Sequence, residues 1–303
     1  MHSLIRVLPR IARALDDGEP VVALESSVFA QGLPCPENGE AAVAMGEAVE
    51  RAGAVAGITA VVRGVPTVGL QPDELDRFLR RDGVRKVSAR DLATAVATGA
   101  DGATTVAASL ALASAVGIQV FATGGIGGVH RDAPYDESAD LGELARTPMV
   151  VVCAGAKSIL DLEATWERLE TLGVPVIGYR TSELPGFFTA NTGIRLDTRV
   201  DEVGDIAAIW RAHRALGRRQ SVVVVREPPE THRLTRETVE AAVAKARAAA
   251  QRNAVRGAAV TPFLLSEVSR LTSGGSLAAN VALLRENAAL AGAVAKEIAI
   301  ELH

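Results

Sequence analysis

Short apolar runs alternate with amphipathic helical segments along the first three quarters of the chain. The runs predicted to be buried strands span residues 20–24, 58–62, 118–122, 149–153, 174–177 and 221–225. Beyond the last run only helical patterns follow, over 237–252, 261–271 and from Ser276 onward. Strands separated by helices favour a parallel sheet with helices on both faces. The pattern therefore predicts a three-layer α/β/α fold, with a mostly parallel central sheet and a helical C-terminal segment.

The beginning of the chain also has helical spacing, with apolar residues at Leu4, Val7, Leu8, Ile11 and Leu15. Three arginines and no acid in this stretch are a feature of transit peptides as well. The spacing favours an amphipathic first helix that packs on the rest of the protein. No long linker, repeat or low-complexity segment interrupts the chain, and 303 residues are enough for a large core. A single domain over residues 1–303 is therefore predicted.

Composition and charge argue against several classes of function. The net charge is −4 and no basic stripe rich in aromatic residues occurs, so nucleic acid binding is not indicated. No apolar run reaches the roughly 18 residues that a membrane span needs. Cys35 and Cys153 lie far apart in the sequence, which fits a reducing compartment better than a disulfide framework. A cytoplasmic protein with neither a nucleic acid nor a membrane partner is expected.

Lysine is rare in this chain, since 28 of the 32 basic residues are arginine. Lys157 nevertheless follows the apolar run 149–153, after a few small residues. A lysine can act as a nucleophile once it has lost its proton, whereas an arginine keeps its charge at any useful pH. A lysine that caps the strand end or pairs with a carboxylate fits the same position. The local pattern leaves both roles open.

Two further charged residues lie near predicted strands. Glu25 directly follows the run 20–24, at the edge where open α/β sheets bind ligands. Lys86 belongs to a charged cluster that ends at Asp91. The structural alternatives are a salt-bridged or helix-capping glutamate, and a solvated charge cluster at the start of a helix.

Two loops have compositions that suit a ligand. Residues 124–128 hold four glycines after a predicted strand, which lets backbone N–H groups approach an anion. No register of this loop supplies the G-x-G-x-x-G pattern of a dinucleotide site, and a tight turn without a ligand is the alternative. Asp136, Glu137, Ser138 and Asp140 cluster oxygen atoms of the kind that Mg²⁺ or Mn²⁺ prefers. An acidic surface loop fits these four residues equally well.

Several longer segments, in order along the chain, resemble one family. They are Val-Ala-Leu-Glu-Ser at 22–26, Lys-Val-Ser-Ala-Arg-Asp-Leu at 86–92, Gly-Ala-Thr-Thr-Val-Ala at 102–107, Phe-Ala-Thr-Gly-Gly-Ile-Gly-Gly-Val-His-Arg at 121–131, Ser-Ala-Asp-Leu at 138–141, Val-Val-Cys-Ala-Gly-Ala-Lys-Ser-Ile-Leu-Asp at 151–161 and Thr-Pro-Phe-Leu-Leu at 261–265. On these segments the chain resembles the pseudouridine-5′-phosphate glycosidase family, also called pseudouridylate synthase, which includes the indigoidine-cluster A proteins.

The resemblance implies an enzyme that reversibly cleaves the C–C glycosidic bond of pseudouridine 5′-phosphate to uracil and ribose 5-phosphate. It implies that Lys157 forms a Schiff base with ring-opened ribose 5-phosphate, and that Glu25 donates the proton to the departing uracil carbon. It also implies a homotrimer and a Mn²⁺ ion on Asp136, with Mg²⁺ or another divalent cation as alternatives. The substrate-binding positions that it implies are Lys86, Val106, Ser138, Ala139, Asp140 and Asn280.

The chain departs from the family pattern at several positions. Ser27 stands where the family usually has threonine, Gln31 where it has histidine, and Glu137 where isoleucine is more usual. Arg226 and Glu227 replace an Asn-Pro pair. These departures leave the residues for the bond chemistry in place, but they leave open which base the substrate carries. The alternative is a related enzyme that forms or cleaves a C-glycoside of ribose 5-phosphate with another base or nucleophile.

Overall fold

The computed structural model describes residues 4–131 and 135–300 of the chain. Its strands are β1 (Arg6–Val7), β2 (Val21–Glu25), β3 (Val55–Val62), β4 (Val65–Val68), β5 (Arg85–Val87), β6 (Gly102–Thr104), β7 (Val120–Ala122), β8 (Val129–His130), β9 (Val150–Cys153), β10 (Leu160–Asp161), β11 (Val176–Tyr179), β12 (Arg199–Val200) and β13 (Val222–Val225).

The α-helices lie between these strands and after the last of them. They are α1 (Pro9–Asp16), α2 (Glu37–Arg51), α3 (Pro72–Arg80), α4 (Leu92–Ala97), α5 (Val106–Ala115), α6 (Ala139–Leu144), α7 (Leu162–Thr171), α8 (Val203–Ala215), α9 (Arg236–Arg252), α10 (Val260–Leu271) and α11 (Gly275–Ala299). Within the described residues, none of these helices has the length and apolarity that crossing a membrane requires.

The main sheet has the strand order β1-β4-β3-β2-β7-β9-β13-β11-β12, and β5 and β6 are attached to it through β3. Pairing is parallel except where β3 meets β4 and β6. The central strands β2, β9 and β13 are buried along their whole length, which is why they read as continuous apolar runs rather than alternating ones. Helices cover both sides of the sheet, and the predicted α/β/α class with a helical C-terminal segment is confirmed.

Strand β3 pairs with two different strands along one of its sides. Its first half pairs with β2, as far as Glu25 opposite Thr59. Beyond that point Ala60 and Val61 pair with β6 instead, and β6 carries β5 on its outer side. Since β6 runs antiparallel to β3, its last residue, Thr104, lies beside the carboxyl end of β2, and β5 comes to lie near that end as well.

The last helix packs closely against α2. A Cβ atom built on Gly292 would lie 2.7 Å from the Cβ of Ala52 and 3.1 Å from the backbone oxygen of Val49. Only glycine allows the two helix backbones to come this near. The contact fixes the long helix α11 against the sheet, and Asn280, Leu283 and Leu284 in its N-terminal half lie beside Gly124.

Two local expectations from the sequence are wrong. The first helix begins at Pro9 rather than near Leu4, and Arg6–Val7 form an edge strand instead; proline suits the first turn of a helix but disfavours helical geometry in the residue before it. Lys86 lies on strand β5, not at the start of a helix.

Candidate active site

The carboxyl ends of three parallel neighbours, β2, β7 and β9, meet at the middle of the sheet. From β2 the chain first builds outward through β3 and β4, and then returns to the other side of β2 with β7. This reversal is a topological switch point, where open α/β sheets bind their ligands. Glu25 ends β2, and Thr123 follows β7 across the gap.

A small cavity, with a volume of about 50 Å³, lies at this point. Four residues predicted from the sequence line it: Glu25, Lys86, Lys157 and Asn280. They come from four separate segments of the chain. The remaining lining residues are Ser27, Val28, Gln31, Gly32, Thr123, Gly124, Gly125, Phe187, Thr261, Pro262 and Leu265.

The Glu25 carboxylate is buried and held by two hydroxyl groups. Ser27 Oγ donates to Glu25 Oε2 at 2.6 Å, and Thr123 Oγ1 donates to Glu25 Oε1 at 2.5 Å. Only 4% of the glutamate is exposed, so these hydrogen bonds offset the loss of water around it. The bond from Thr123 also joins the ends of β2 and β7 across the switch point. Among the residues that the structure describes, none forms a salt bridge with Glu25, and Glu25 caps no helix.

The backbone of Lys157 is positioned by pairing that continues beyond the sheet. Ala154 N donates to the oxygen of Gly124 at 2.9 Å, and Lys157 N donates to the oxygen of Ile126 at 3.1 Å. The loops after β7 and β9 therefore run side by side into the cavity. Among the described residues, Lys157 makes no ion pair with a carboxylate.

Buried hydroxyl groups connect the strand of Glu25 to the strands of Lys86. Ser26 Oγ accepts a hydrogen bond from Thr104 N at 2.9 Å, and Thr104 Oγ1 donates to the oxygen of Thr59 at 2.7 Å. Thr104 ends β6, and its neighbour Ala103 pairs with Lys86. This network fixes the distance between the acid and the first amine.

The charges in the cavity influence one another. Burial lowers the pKa of Lys86, and the positive charge of Lys157 lowers it further, while Asp140 and Glu25 oppose both effects. The site therefore combines two primary amines and a carboxylate within electrostatic reach. One amine can bind an anion while the other acts as a nucleophile.

The glycine-rich loop 124–128 lets neighbouring side chains come close to its backbone. A Cβ on Gly125 would lie 2.6 Å from Phe187 Cδ2, and one on Gly124 would lie 3.3 Å from Asn280 Oδ1. Some of its backbone donors are already occupied, since Gly127 N binds Asp140 Oδ2 at 2.8 Å. The loop thus serves largely to admit side chains to the cavity.

Val106, Ser138, Ala139 and Asp140 are not among the residues that line this cavity. Val106 is buried at the start of α5, and Ser138 caps α6 by accepting from Asp140 N. The Asp140 carboxylate binds Ala107 N at 3.0 Å as well as Gly127 N. Asp140 therefore joins the start of α5 to the glycine loop, which holds backbone groups close to Lys86.

Asp136 lies apart from the cavity. Its side chain is 61% exposed, and its Oδ2 is 3.4 Å from Nδ1 of His130. Across residues 4–131 and 135–300 no group of three or more His, Cys, Asp or Glu could hold a metal ion. One exposed carboxylate fits a cation that keeps most of its water ligands, as Mg²⁺ and Mn²⁺ do in loose sites.

Phe187, which lines the cavity, and Asn287, which supports it, were not predicted from the sequence. Phe187 reaches the cavity because its backbone has φ +69° and its N–H donates to the oxygen of Ala154. Asn287 donates to the oxygen of Thr123 at 2.8 Å and so supports the same loop from α11. The only signal for Phe187 was the pair of phenylalanines in a proline- and glycine-containing loop, and Asn287 had none.

Comparison with known proteins finds relatives that carry the same name. A relative from Gemmatimonas aurantiaca, named pseudouridine-5′-phosphate glycosidase, is 60% identical over 96% of this chain and 95% of its own length. One of the same name from Escherichia coli is 46% identical over 97% and 95%.

Solved structures are similar as well. The prealnumycin C-glycosynthase AlnA, in complex with ribulose 5-phosphate, has a TM-score of 0.92 at 38% identity and covers 100% of this chain and 99% of its own. An indigoidine synthase A-like protein from Thermotoga maritima has a TM-score of 0.89 at 35% identity, over 98% and 97%. The family described as "Indigoidine synthase A like protein" matches residues 10–297, and the chain belongs to this family.

Proposed function

We propose that this protein reversibly cleaves pseudouridine 5′-phosphate, with one water, to uracil and ribose 5-phosphate. The observation that carries the proposal is the convergence of Glu25, Lys86 and Lys157 on one cavity at the switch point of the sheet. The relatives named pseudouridine-5′-phosphate glycosidase supply the identity of the reaction.

The C–C bond determines what the site must provide. An O-glycoside leaves through an oxygen that an acid can protonate, but a C-glycoside has no such oxygen. We propose that the neutral amine of Lys157 forms a bond to C1 of the ribose as the bond from C1 to the ring oxygen breaks, which opens the ring; the proton that the nitrogen gives up goes to the departing oxygen, which becomes a hydroxyl group. The nitrogen lone pair then stabilises the cation at C1 as an iminium while the C–C bond breaks.

Glu25 acts on the other product. The electron pair of the broken bond goes to C5 of uracil, and Glu25 delivers a proton to that carbon. Water hydrolyses the iminium, which releases ribose 5-phosphate and restores the amine. In the synthetic direction the same carboxylate removes the proton from C5. The hydrogen bonds from Ser27 and Thr123 support this role because they fix both carboxylate oxygens.

Lys86 is the proposed partner of the sugar phosphate. It is a cation on a separate strand, within electrostatic reach of Lys157. Val106, Ser138, Ala139 and Asp140 are proposed to bind the substrate with it. The contacts of Asp140 with backbone N–H groups indicate that this residue acts by holding backbone donors in place.

Asp136 is the proposed protein ligand of a divalent cation, Mn²⁺ or Mg²⁺. Such an ion, when bound, would offset negative charge of the substrate phosphate. We expect Asp136→Asn to raise the Mn²⁺ concentration needed for half-maximal activity about 10-fold. Metal titration of the variant and the wild type measures this. Equal requirements would exclude Asp136 as the ligand.

A second candidate function is the formation of a C-glycoside from ribose 5-phosphate and a nucleophile other than uracil. The similarity to the C-glycosynthase AlnA and the glutamine at position 31 favour it. A panel of bases and aromatic nucleophiles offered with ribose 5-phosphate separates the two. Product with uracil supports the first proposal, and product only with another nucleophile supports the second.

The decisive experiment measures uracil release from pseudouridine 5′-phosphate with and without Mn²⁺, followed by borohydride reduction in the presence of ribose 5-phosphate. We expect mass spectrometry to find the reduced sugar on Lys157, and to find none in Lys157→Ala. The exposed Lys245 offers a matched control, Lys245→Ala, which should retain the adduct. An adduct on Lys86, whose pKa is lowered, would transfer the nucleophilic role to that residue.

The family resemblance also leads us to propose a homotrimer in the cytoplasm. Light scattering on the purified protein measures the mass directly. A value of one or two chains would overturn this part of the proposal.

A further inference from the structure

One wall of the candidate site is shared with a second cavity. The neighbouring cavity has a volume of about 590 Å³. Gln31, Gly32, Pro262, Leu265 and Asn280 line both spaces. This shared wall carries no charge, whereas Lys86 and Lys157 lie elsewhere in the site. A phosphate is attracted to the lysines, so the uncharged part of a substrate belongs against the wall.

Two amide oxygens in this wall are buried without a partner. Gln31 Oε1 and Asn280 Oδ1 have no hydrogen bond to any described residue. The other end of the Gln31 amide is also weakly held, because Nε2 reaches the oxygen of Val84 only at 3.4 Å. Hydrogen bonds of this kind are ordinarily about 2.7–3.2 Å long. Buried polar atoms normally have hydrogen-bond partners. A ligand that supplies N–H groups here can therefore make the hydrogen bonds that these two oxygens do not make within the protein.

Gln31 is also close in sequence to Glu25, the proposed proton donor to the base. It lies in a single turn, Val28–Gly32, that begins three residues after Glu25. Under the proposed function Glu25 delivers its proton to the base, so the turn that follows it lies on the base side of the bond. The family usually has histidine at this position, whereas glutamine is neutral at every pH and presents both a donor and an acceptor.

We propose that Gln31 is a specificity-determining residue for the base, and that it recognises the –NH–CO– edge of a planar, uncharged heterocycle. This inference rests on the proposed function for the identity of the reaction. The edge of uracil that faces away from C5 carries two N–H groups around a carbonyl. Gln31 and Asn280 can together bind such an edge, with Pro262 and Leu265 against the ring.

The test replaces the amide without changing the volume of the side chain much. Gln31→Met keeps an unbranched chain of similar length and loses all hydrogen bonding. In the synthetic direction we expect the KM for uracil to rise on the order of 10-fold, the value of a lost buried hydrogen bond, with kcat changed less than 3-fold. The matched control is Leu277→Ala, since Leu277 lines only the neighbouring cavity, and its KM for uracil should equal that of the wild type.

Methylated bases identify the contact. 1-Methyluracil and 3-methyluracil each lack one N–H donor. The wild type should bind at least one of them about 10-fold more weakly than uracil, and Gln31→Met should lose that preference. A preference that survives the substitution unchanged would overturn the proposal.

The sugar half of the site is the internal control. Borohydride trapping of ribose 5-phosphate on Lys157 should proceed equally in Gln31→Met and the wild type. A parallel loss of trapping would mean that Gln31 supports the whole site, and the proposal would be wrong. Calorimetry of uracil binding in the presence of ribose 5-phosphate needs no turnover. Uracil that binds through Gln31 but yields no product would therefore refute the proposed reaction and leave the base site standing.

Discussion

Removing the hydroxyl of Thr123 tests how the protein holds its proposed proton donor. Thr123→Val keeps the shape of the side chain but deletes the donor that reaches Glu25 Oε1 at 2.5 Å. Ser27 still binds the other oxygen, so the carboxylate keeps one of its two hydroxyl contacts. We expect a buried glutamate that is less firmly oriented toward the base.

The size of the effect follows from the type of bond. Leaving a buried acceptor without its donor costs about 1–3 kcal/mol, and 1.36 kcal/mol corresponds to a factor of ten in rate. Uracil release by Thr123→Val should therefore have a kcat/KM roughly 5- to 150-fold below that of the wild type. The free energy of unfolding should fall by about 1–3 kcal/mol, because a buried acceptor loses its partner.

The assay follows uracil release from pseudouridine 5′-phosphate, and urea unfolding gives the stability of each variant. Thr123→Ser retains the hydroxyl and should keep most of the activity. Trapping of ribose 5-phosphate on Lys157 should be unaffected, because no proton moves to the base in that step. Wild-type kcat/KM in a folded Thr123→Val, or an equal loss of trapping, would refute the assigned role of this hydroxyl.

Other substitutions test the loops, the core and the titrating groups. Gly125→Ala should lower the free energy of unfolding by about 1–3 kcal/mol in urea, because its Cβ would overlap Phe187; Gly142→Ala, with open space in α6, should raise it by about 0.5–1 kcal/mol. Asp140→Asn should lower the urea midpoint and weaken ribose 5-phosphate binding, because an amide accepts on one oxygen only and cannot satisfy both backbone donors. Burial raises the pKa of Cys153 from 9.0 to about 12. The folded state then keeps a proton that the unfolded state loses, so stability should fall between pH 9 and 12 by up to about 1.4 kcal/mol per pH unit, and Cys153→Ala should lack this contribution. A pH slope that is identical in that variant would contradict the assignment.

The sequence predicted those parts of the site that follow long apolar runs. Glu25 is the last residue of the buried strand β2, Lys157 follows β9 after three small residues, and strand ends of a parallel sheet meet at one edge. Lys86 was harder to place from local pattern, because β5 and β6 are only three residues long each. Their position depends on pairing with β3, which is distant in sequence. Only the family resemblance linked Lys86 to the site.

The supporting contacts could not be read from the sequence. Hydroxyl residues are common, and nothing in the pattern distinguishes Ser27 or Thr123 from the others before the ends of β2 and β7 are placed side by side. Asn287 acts across 164 positions of sequence on Thr123. Such long-range pairs are set by tertiary packing rather than by local propensity. Asp136 remains a predicted metal ligand, on the strength of the resemblance alone.

The close packing of α11 has a consequence for the order in which the site is completed. This helix carries Asn280 into the cavity and Asn287 onto the glycine loop, and it is synthesised after Glu25, Lys86 and Lys157 have left the ribosome. A growing chain therefore holds both amines before the wall and the support of the loop exist. A chain that stops before Gly275 should trap ribose 5-phosphate at most weakly, and adding α11 as a separate peptide should restore trapping if docking alone completes the site.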